Sequence, residues 1–170
     1  MGLADRLGYH HDNPNAAQRW MRRYASSRFG AWTFAKTLHH IDRLVARVRP
    51  GHTLPEYLAG LPMLWVTTTG ARTGLPRTRP LLGIPVGDAI ALVGTSFGQS
   101  KTPAWYHNLR AHPEATVRFH DQVVAVRARE VEADERERIM DAAHAVYVGY
   151  AAYESRISGR AIHVIVLDAA

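Results

Sequence analysis

Cationic and hydroxyl side chains cluster in the turn GARTGLPR, residues 70–77, where Arg72 and Arg77 lie on either side of Thr73. Two guanidinium groups, a hydroxyl and backbone N–H groups are the donors that bind phosphate or carboxylate. The turn lacks the Gly-Lys-Ser/Thr ending of a P-loop and joins two strand-like runs, so it is not a P-loop. An ordinary hairpin turn with solvated arginines is the alternative interpretation.

Three tyrosines, Tyr147, Tyr150 and Tyr153, recur at three-residue steps in a segment of helical character. Residues with this spacing lie along one side of a helix. Two interpretations stay open. The tyrosines form either an aromatic face packed on the rest of the fold or a wall over a ligand pocket, where phenol groups donate hydrogen bonds or a proton.

A further group of polar residues lies in the segment SKTPAWYHNL, residues 100–109. Ser100 and Lys101 precede a predicted helix whose N-terminus attracts anions, and Asn108 lies on that helix. The ten histidines show neither HExxH nor another metal-binding spacing, and the chain has no cysteine. The sequence therefore predicts no metal site, no thiolate nucleophile and no disulfide.

Positive charge is concentrated at the N-terminus. Residues 1–50 contain nine Lys/Arg and three Asp/Glu, which accounts for the whole net charge of +6, because residues 51–170 contain twelve of each. Residues 61–120 are also basic, with six Lys/Arg and two Asp/Glu. This asymmetry favours an anionic partner: a phosphorylated cofactor, an acidic lipid surface or a nucleic acid.

The length of 170 residues predicts a single domain. We expect residues 1–50 to form a basic helical segment and residues 61–170 to form the core with its C-terminal helix. No apolar run approaches the roughly 20 residues of a transmembrane helix. The charged N-terminus predicts no signal peptide, so we expect a cytoplasmic protein.

The N-terminal third is predicted to be helical after an irregular start. Residues 1–14 show no periodicity, and Asn13 is expected to cap a helix over residues 15–27 with Pro14 in its first turn. Apolar residues at three- and four-residue spacing predict a second helix over residues 32–48. Its basic face has three interpretations: a solvated face of a docked helix, a membrane-surface contact or a nucleic-acid contact.

The remainder alternates between short strand patterns and turns. Gly87-Asp88 and His120-Asp121 have the chemistry of tight hairpin turns, and Thr102 is expected to cap a helix with Pro103 at its first position. The predicted elements are strands over 63–69, 78–86, 89–94, 116–119, 122–130 and 162–167 and helices over 103–111 and 133–153. Hairpin connections without βαβ alternation predict an α+β, mainly β fold: about six antiparallel strands in a closed or split barrel with helices packed outside.

Three segments together resemble the deazaflavin-dependent nitroreductase family, whose members use the reduced deazaflavin coenzyme F420 as a hydride donor. They are TTTGARTGLPR, PLLGIPVGDAIALVGTSFGQSKTPAWYHNLRAHP and VYVGYAAY, and the resemblance spans residues 65–167. The combination of T-T-G-x-x-[ST]-G-x-x-R with P-x-W-Y-x-N-L makes it specific. The resemblance implies a split β-barrel of the flavin-reductase type.

The resemblance also implies a set of site residues. The coenzyme groove would be lined by Arg72, Thr73, Arg77, Thr78, Arg79, Pro80, Leu81, Leu82, Val93, Gly94, Thr95, Ser96, Ala104, Trp105, Tyr106, Asn108 and Tyr150. Tyr147 and Tyr150 are the implied catalytic residues, and both line the substrate together with Tyr153. Two positions depart from the family pattern, because Ser96 stands where some members have lysine and Arg79 where some have asparagine.

The implied function is that of an F420-dependent oxidoreductase. Reduced coenzyme F420, F420H2, would donate a hydride to an enone, an unsaturated lactone, a quinone or a nitroaromatic ring, and a tyrosine or water would complete protonation. An FMN-dependent reductase on the same barrel and a non-catalytic lipid-binding protein are the alternatives. The implied partners are the deazaflavin and a small-molecule substrate, with no nucleic acid. Membrane contact through the N-terminal helix and the oligomeric state stay open.

Overall fold

A computed structural model describes residues 1–11, 13–27, 29, 59–96, 101–157 and 161–170. Within these residues, six strands form a closed antiparallel barrel in the order β1-β2-β3-β6-β5-β4. The strands are β1 (Met63–Thr69), β2 (Pro76–Val86), β3 (Ala89–Val93), β4 (Glu114–Phe119), β5 (Gln122–Glu130) and β6 (Val164–Ala169). The helices are α1 (Leu3–Leu7), α2 (Ala16–Ser26), α3 (Ala104–Ala111), α4 (Ala133–Val146) and α5 (Gly149–Glu154). The predicted α+β barrel is confirmed.

Alternating side chains explain why the barrel strands form where the sequence predicts them. In β1, Leu64 and Val66 are buried while the residues between them are half-buried. In β5, Val124, Val126 and Ala128 are buried and their neighbours are exposed. This period-two pattern places one face of each strand in the barrel core and the other on the outside.

A short N-terminal helix is part of the barrel core, so the prediction of an irregular start over residues 1–14 is wrong. Leu3 and Leu7 of α1 are fully buried with the barrel residues, and the Leu3 N–H donates to Asp88 O in the β2–β3 turn at 2.7 Å. Gly8 ends the helix with φ of +63°. Five helical residues are too few to show a helical period, which explains the missed element.

The strand β2 changes partner at Gly83. Its first part pairs with β1 as far as Leu82, and its second part pairs with β3 from Gly83 onward. The Tyr9 hydroxyl accepts from the Gly83 N–H at 3.0 Å and lies 2.9 Å from Pro62 O and 3.0 Å from Gly83 O, either of which can take its proton. A Cβ on Gly83 would lie 2.6 Å from Leu64 and 2.7 Å from Ile90. A larger residue at this position would therefore have to displace the Leu64 and Ile90 side chains in the barrel core.

The outer face of β2, β3 and β6 is covered by helices. Residues of α4 and α5 pack on it in a second buried cluster, separate from the barrel core. The helix predicted over residues 133–153 is broken, because Tyr147 is extended at φ −146° and ψ 112° and ends α4. A new helix begins at Gly149. The three tyrosines therefore lie on a bend and a short helix, not on one continuous helix.

Helix caps differ from the sequence prediction by one or two residues. Asn15, not Asn13, caps α2: its side chain accepts from the Gln18 N–H, and the Gln18 side chain accepts from the Asn15 N–H. Pro103 is the N-cap of α3 instead of its first residue, and Thr102 precedes the cap.

Strand ends near the C-terminus and in the second hairpin also differ. β4 begins at Glu114 and β6 at Val164, whereas the sequence predicts starts at 116 and 162. The helix predicted over 32–48 lies outside the described residues. The single-domain organisation stays a prediction.

None of the described helices combines the length and apolar character needed to traverse a membrane. In the same residues, no group of three or more His, Asp or Glu side chains is placed to hold a metal ion.

Loss of the Tyr9 hydroxyl should destabilise the barrel. We expect Tyr9→Phe to lower the free energy of unfolding by about 1–3 kcal/mol, because Gly83 and Pro62 lose their buried hydrogen-bond partner. Urea denaturation followed by tryptophan fluorescence measures the change. The matched control is Tyr150→Phe, since the Tyr150 hydroxyl bonds to no described residue. Equal stability of the two variants would contradict the role assigned to Tyr9.

Candidate functional site

In the described part of the closed barrel, β2 and β3 pair with each other over only part of their length. Their pairing ends at Gly83 and Leu92, and within the described strands residues 76–82 of β2 pair only with β1. The chain turns sharply after β3: the Thr95 N–H donates to Val93 O at 3.1 Å, and Ser96 has φ of +47°. We give the name barrel opening to the region that has residues 76–82 on one side and residues 93–96 on the other, between which the described residues show no strand pairing.

The two sides of the barrel opening carry two groups of predicted cofactor residues, 77–82 and 93–96. Continued by one residue in the β2–β3 register, Leu82 lies opposite Val93. Beyond Val93 the strand ends and the chain turns, so the register gives no partner for Arg79. Because successive side chains alternate between faces, Thr78, Pro80 and Leu82 share the outer face of β2.

Proline protects the free edge of β2. Leu75 O accepts from the Gly70 N–H, so the odd-numbered residues that follow direct their backbone groups to β1, and the even-numbered residues direct theirs to the barrel opening. Two of the four even-numbered residues from 76 to 82 are Pro76 and Pro80, which have no N–H. An edge with few free donors resists pairing with another strand, so it stays accessible to a smaller ligand.

The three tyrosines, the tyrosine cluster from here on, belong to the buried cluster that extends to the barrel opening. Tyr147, Tyr150 and Tyr153 are buried in the outer hydrophobic cluster, which also includes Val93 and has Leu82 packed against it. Those two residues are the first ones beyond the last paired residues of β2 and β3. The aromatic side chains therefore share a buried cluster with the residues at the end of the β2–β3 pairing.

The hydroxyls of the tyrosine cluster differ in their partners. The hydroxyls of Tyr147 and Tyr153 are 3.2 Å apart, and the Tyr153 hydroxyl donates to Ala25 O at 3.2 Å. The Tyr150 hydroxyl makes no hydrogen bond with another described residue. Burial raises the pKa of Tyr150 above its ordinary value of 10.0, and nearby Tyr147 raises it further. Tyr150 therefore stays protonated, and its hydroxyl remains a hydrogen-bond donor.

Positive charge lies at the far end of the barrel opening. Arg72, Arg77 and Arg79 are exposed, and none of them forms an ion pair with a described residue. No Asp or Glu occurs between residues 61 and 87. Along the strand, Arg77 is about 17 Å from Leu82 at roughly 3.4 Å per residue. Guanidinium groups that have no carboxylate partner among the described residues, at this distance from the apolar Leu82, suit an elongated anionic ligand.

A separate surface cavity of about 210 Å³ differs from the barrel opening, because its arginines are paired with carboxylates. It is lined by Leu109, Arg110, Pro113, Ala128, Arg129, Glu130 and Ile165. Arg110 pairs with Glu130 at 3.1 Å, and Arg129 contacts both Glu135 and Asp168. The hydrogen bond from Arg129 lowers the pKa of Glu135. Because its cations are already neutralised, this cavity is a weaker anion site than the barrel opening.

Asn108 of α3 holds the GARTGLPR turn in place through two hydrogen bonds. Its Oδ1 accepts from the Ala71 N–H and its Nδ2 donates to Thr68 Oγ1, both at 3.0 Å. The Thr73 hydroxyl lies inside the same turn and accepts weakly from the Leu75 N–H at 3.4 Å. Asn108 is buried, so the described contacts give it the task of holding the turn that carries Arg72.

The other predicted residues of α3 have different surroundings. Ala104 is exposed, whereas Trp105 and Tyr106 are buried in the barrel core. The Tyr106 hydroxyl donates to Glu130 at 2.9 Å, and its ring stacks on His163 at 4.2 Å. The polar end of Tyr106 is thus engaged at the separate surface cavity. The assignment of these residues to the cofactor stays a prediction.

Sequence reasoning missed two residues that shape the tyrosine cluster. Gly149 is one, because a Cβ there would overlap the Cε1 and Cζ atoms of the Tyr147 ring. Arg22 is the other, a buried cation on α2 that donates to Ala59 O and Gly60 O. The glycine could have been identified from the sequence, because it interrupts a helical segment between two of the tyrosines. The burial of Arg22 could not have been predicted, because arginines on a basic helix are usually exposed.

Residues 40–169 match the family described as F420H(2)-dependent quinone reductase. The chain belongs to this family. An F420H(2)-dependent quinone reductase of Mycobacterium tuberculosis is 37% identical over 84 residues, which is 49% of this chain and 54% of that protein. The chain thus spans about half the length of the curated relatives it matches.

Two solved structures are similar in fold and sequence to this member of the family. One, described as an F420-H2 dependent reductase (FDR-A), has a TM-score of 0.57 and 35% identity and covers 63% of this chain and 94% of that chain. Another, described as a domain-swapped dimer, has a TM-score of 0.59 and 31% identity and covers 74% and 94%. The resemblance to deazaflavin-using reductases seen in the sequence is confirmed.

Adding a methyl group at Gly149 should displace the Tyr147 ring. We expect Gly149→Ala to break the contact between the Tyr147 and Tyr153 hydroxyls, because the added Cβ would overlap the Tyr147 ring. The near-ultraviolet circular dichroism of the tyrosines reports the change. Ala151→Ser, at an exposed position of the same helix, is the control. An unchanged dichroism spectrum in Gly149→Ala would refute the packing described.

Proposed function

We propose that this protein is an F420H2-dependent reductase that acts on quinones. The observation that carries the proposal is the barrel opening itself, with arginines at one end that have no carboxylate partner among the described residues and the tyrosine cluster at the other. Enones, unsaturated lactones and nitroaromatic rings are further substrates with the same need for a hydride and a proton. Membership of the F420H(2)-dependent quinone reductase family supports the proposal.

The residues present fit the coenzyme. Coenzyme F420 combines a planar deazaflavin ring with a phosphate and a carboxylate-rich tail, so it needs a flat apolar place at one end and cations at the other. Leu82 and Val93 supply the apolar place, and the tyrosine cluster lies in the same buried cluster on the substrate side. Arg72 and Arg77 supply exposed guanidinium groups for phosphate or carboxylate. The other predicted groove residues retain their roles as part of this proposal.

When bound, the reduced coenzyme supplies the hydride, and the protein binds, orients and shields. The Tyr150 hydroxyl is the donor we assign to the substrate oxygen, because it is protonated and makes no hydrogen bond to another described residue. A hydrogen bond aimed at the oxygen where negative charge develops lowers the barrier. Tyr147 and Tyr153 complete the substrate wall, and their mutual hydrogen bond fixes the two rings.

Removal of the Tyr150 hydroxyl should reduce turnover more than binding. We expect Tyr150→Phe to lower kcat/KM for a quinone about 100-fold with little change in F420 affinity. The wild-type kcat/KM should show no decline from tyrosine ionisation up to pH 10, because burial raises the pKa of Tyr150 above 10.0. Full turnover in Tyr150→Phe with an unchanged pH profile would rule Tyr150 out as donor.

Removal of two arginines should weaken coenzyme binding. We expect Arg72→Ala with Arg77→Ala to weaken binding of oxidised F420 about tenfold or more, and added salt to weaken wild-type binding, because exposed charges are screened. Titration followed by deazaflavin fluorescence, with FMN in parallel, measures both effects.

A charge-matched control separates specific binding from net charge. Arg127→Ala with Arg138→Ala removes two exposed arginines elsewhere and should bind F420 as the wild type does. Equal loss in both double variants would contradict a localised coenzyme site. Binding of FMN in place of F420 would overturn the cofactor assignment and favour the alternative reductase.

Membrane contact is a second candidate property, favoured by exposed aromatic residues near the N-terminus. Trp20 is 65% exposed and Phe29 66% exposed, next to the concentration of positive charge in residues 1–50. Aromatic rings and cations suit the interface of an anionic bilayer. Sedimentation with anionic and neutral vesicles tests this: loss of anionic-vesicle binding in Trp20→Ser would support it. The cytoplasmic location and the oligomeric state stay predictions.

A further inference from the structure

Arg22 is a buried cation with no carboxylate partner in the described part of the chain. It is 8% exposed, whereas Arg19 and Arg23 on the same helix are exposed. Burial lowers the pKa of Arg22, and nearby Tyr147 opposes the shift. Moving a guanidinium group out of water is costly unless its donors are satisfied, so its partners indicate its task.

All of its partners are backbone carbonyls from two separate segments. Arg22 Nε donates to Ala59 O at 2.7 Å and Nη2 to Gly60 O at 2.9 Å, while Nη1 is 3.4 Å from Val146 O. Val146 is the last residue of α4, where carbonyls lack intrahelical donors and carry partial negative charge. The arginine therefore joins the segment that precedes β1 to the end of α4.

Helix α2 also contacts α5 and the residues that follow it. The Tyr153 hydroxyl donates to Ala25 O at 3.2 Å, and Arg156 Nη2 donates to Ser26 O at 2.5 Å. The carboxyl-terminal half of α2 therefore contacts the bend and α5 at three places, through Arg22, Ala25 and Ser26. We refer to these three residues as the α2 clamp.

The α2 clamp acts on both ends of the tyrosine cluster. Tyr147 directly follows Val146, whose carbonyl faces Arg22, and the Tyr147 hydroxyl lies against that of Tyr153, which is bound to α2. We propose that Arg22 is a positioning residue that holds the tyrosine cluster in place and so sets the substrate end of the site. This inference rests on the proposed function, because it assigns the tyrosine cluster to the substrate.

The test compares Arg22→Gln with Arg23→Gln, which removes an exposed arginine one residue away. Two measurements use the full chain: KM and kcat for a soluble naphthoquinone, and the affinity for oxidised F420. We expect Arg22→Gln to raise the quinone KM about tenfold and to leave F420 affinity within about twofold, since the arginines at the far end are untouched. The quinone KM of Arg22→Lys should lie between those of Arg22→Gln and the wild type, because lysine keeps the positive charge but lacks the forked guanidinium donors.

A third measurement does not depend on activity. Hydrogen exchange of the coenzyme-free protein, read by mass spectrometry, should become faster in Arg22→Gln for the peptides that span residues 143–154 and stay unchanged for β4 and β5. If Arg22→Gln does not fold, Arg156→Gln tests the same clamp from the other side and should give the same local pattern. Arg23→Gln should match the wild type in every measurement.

The outcomes separate this inference from the proposed function. Wild-type exchange over residues 143–154 in the Arg22→Gln and Arg156→Gln variants would overturn the inference, as would a loss of F420 affinity equal to the loss of quinone binding. Faster exchange throughout the barrel would also overturn it, because Arg22 would then serve general stability. If the wild type reduces no quinone with F420H2, the proposed function fails, and the exchange comparison still decides whether Arg22 holds the tyrosine cluster.

Discussion

The rest of the structure depends on the point where β2 passes from β1 to β3. At Gly83 the strand lies so close to the Leu64 and Ile90 side chains that a Cβ would overlap them, and the Tyr9 hydroxyl links β2 to the chain before β1 by hydrogen bonds. Because β2 pairs with one strand before this point and another after it, one edge of its first half is left free. The barrel opening is the consequence of this change of partner.

The two ends of the proposed site, on either side of this edge, are held by different parts of the structure. The barrel core and Asn108 fix the turn that carries the arginines. The tyrosine cluster instead lies on a helix bend that the barrel supports on one side and α2 on the other. The arginine end and the tyrosine end of the proposed site are therefore held by different elements.

Much of the barrel could be predicted from the sequence, because alternation and two-residue turns are local signals. The Gly87-Asp88 turn even fixes which residues of β2 and β3 would face each other. Where the pairing stops could not be predicted, since it depends on Gly83 and Tyr9, which are 74 positions apart in the chain. The same holds for Arg22, whose burial follows from a contact with Val146, 124 positions away. The predicted site residues came from a family resemblance, and their direct contacts with a ligand stay predictions.

The most direct test of the central claim is to map the bound coenzyme on the protein. Backbone amide spectra of labelled protein, recorded by NMR with increasing oxidised F420, would give residue-specific shifts. The account predicts the largest shifts at residues 72–82 and 93–96 and at Tyr150, with small shifts at Arg110 and Arg129. Shifts concentrated at the separate surface cavity around Arg110, with the barrel opening unaffected, would contradict it.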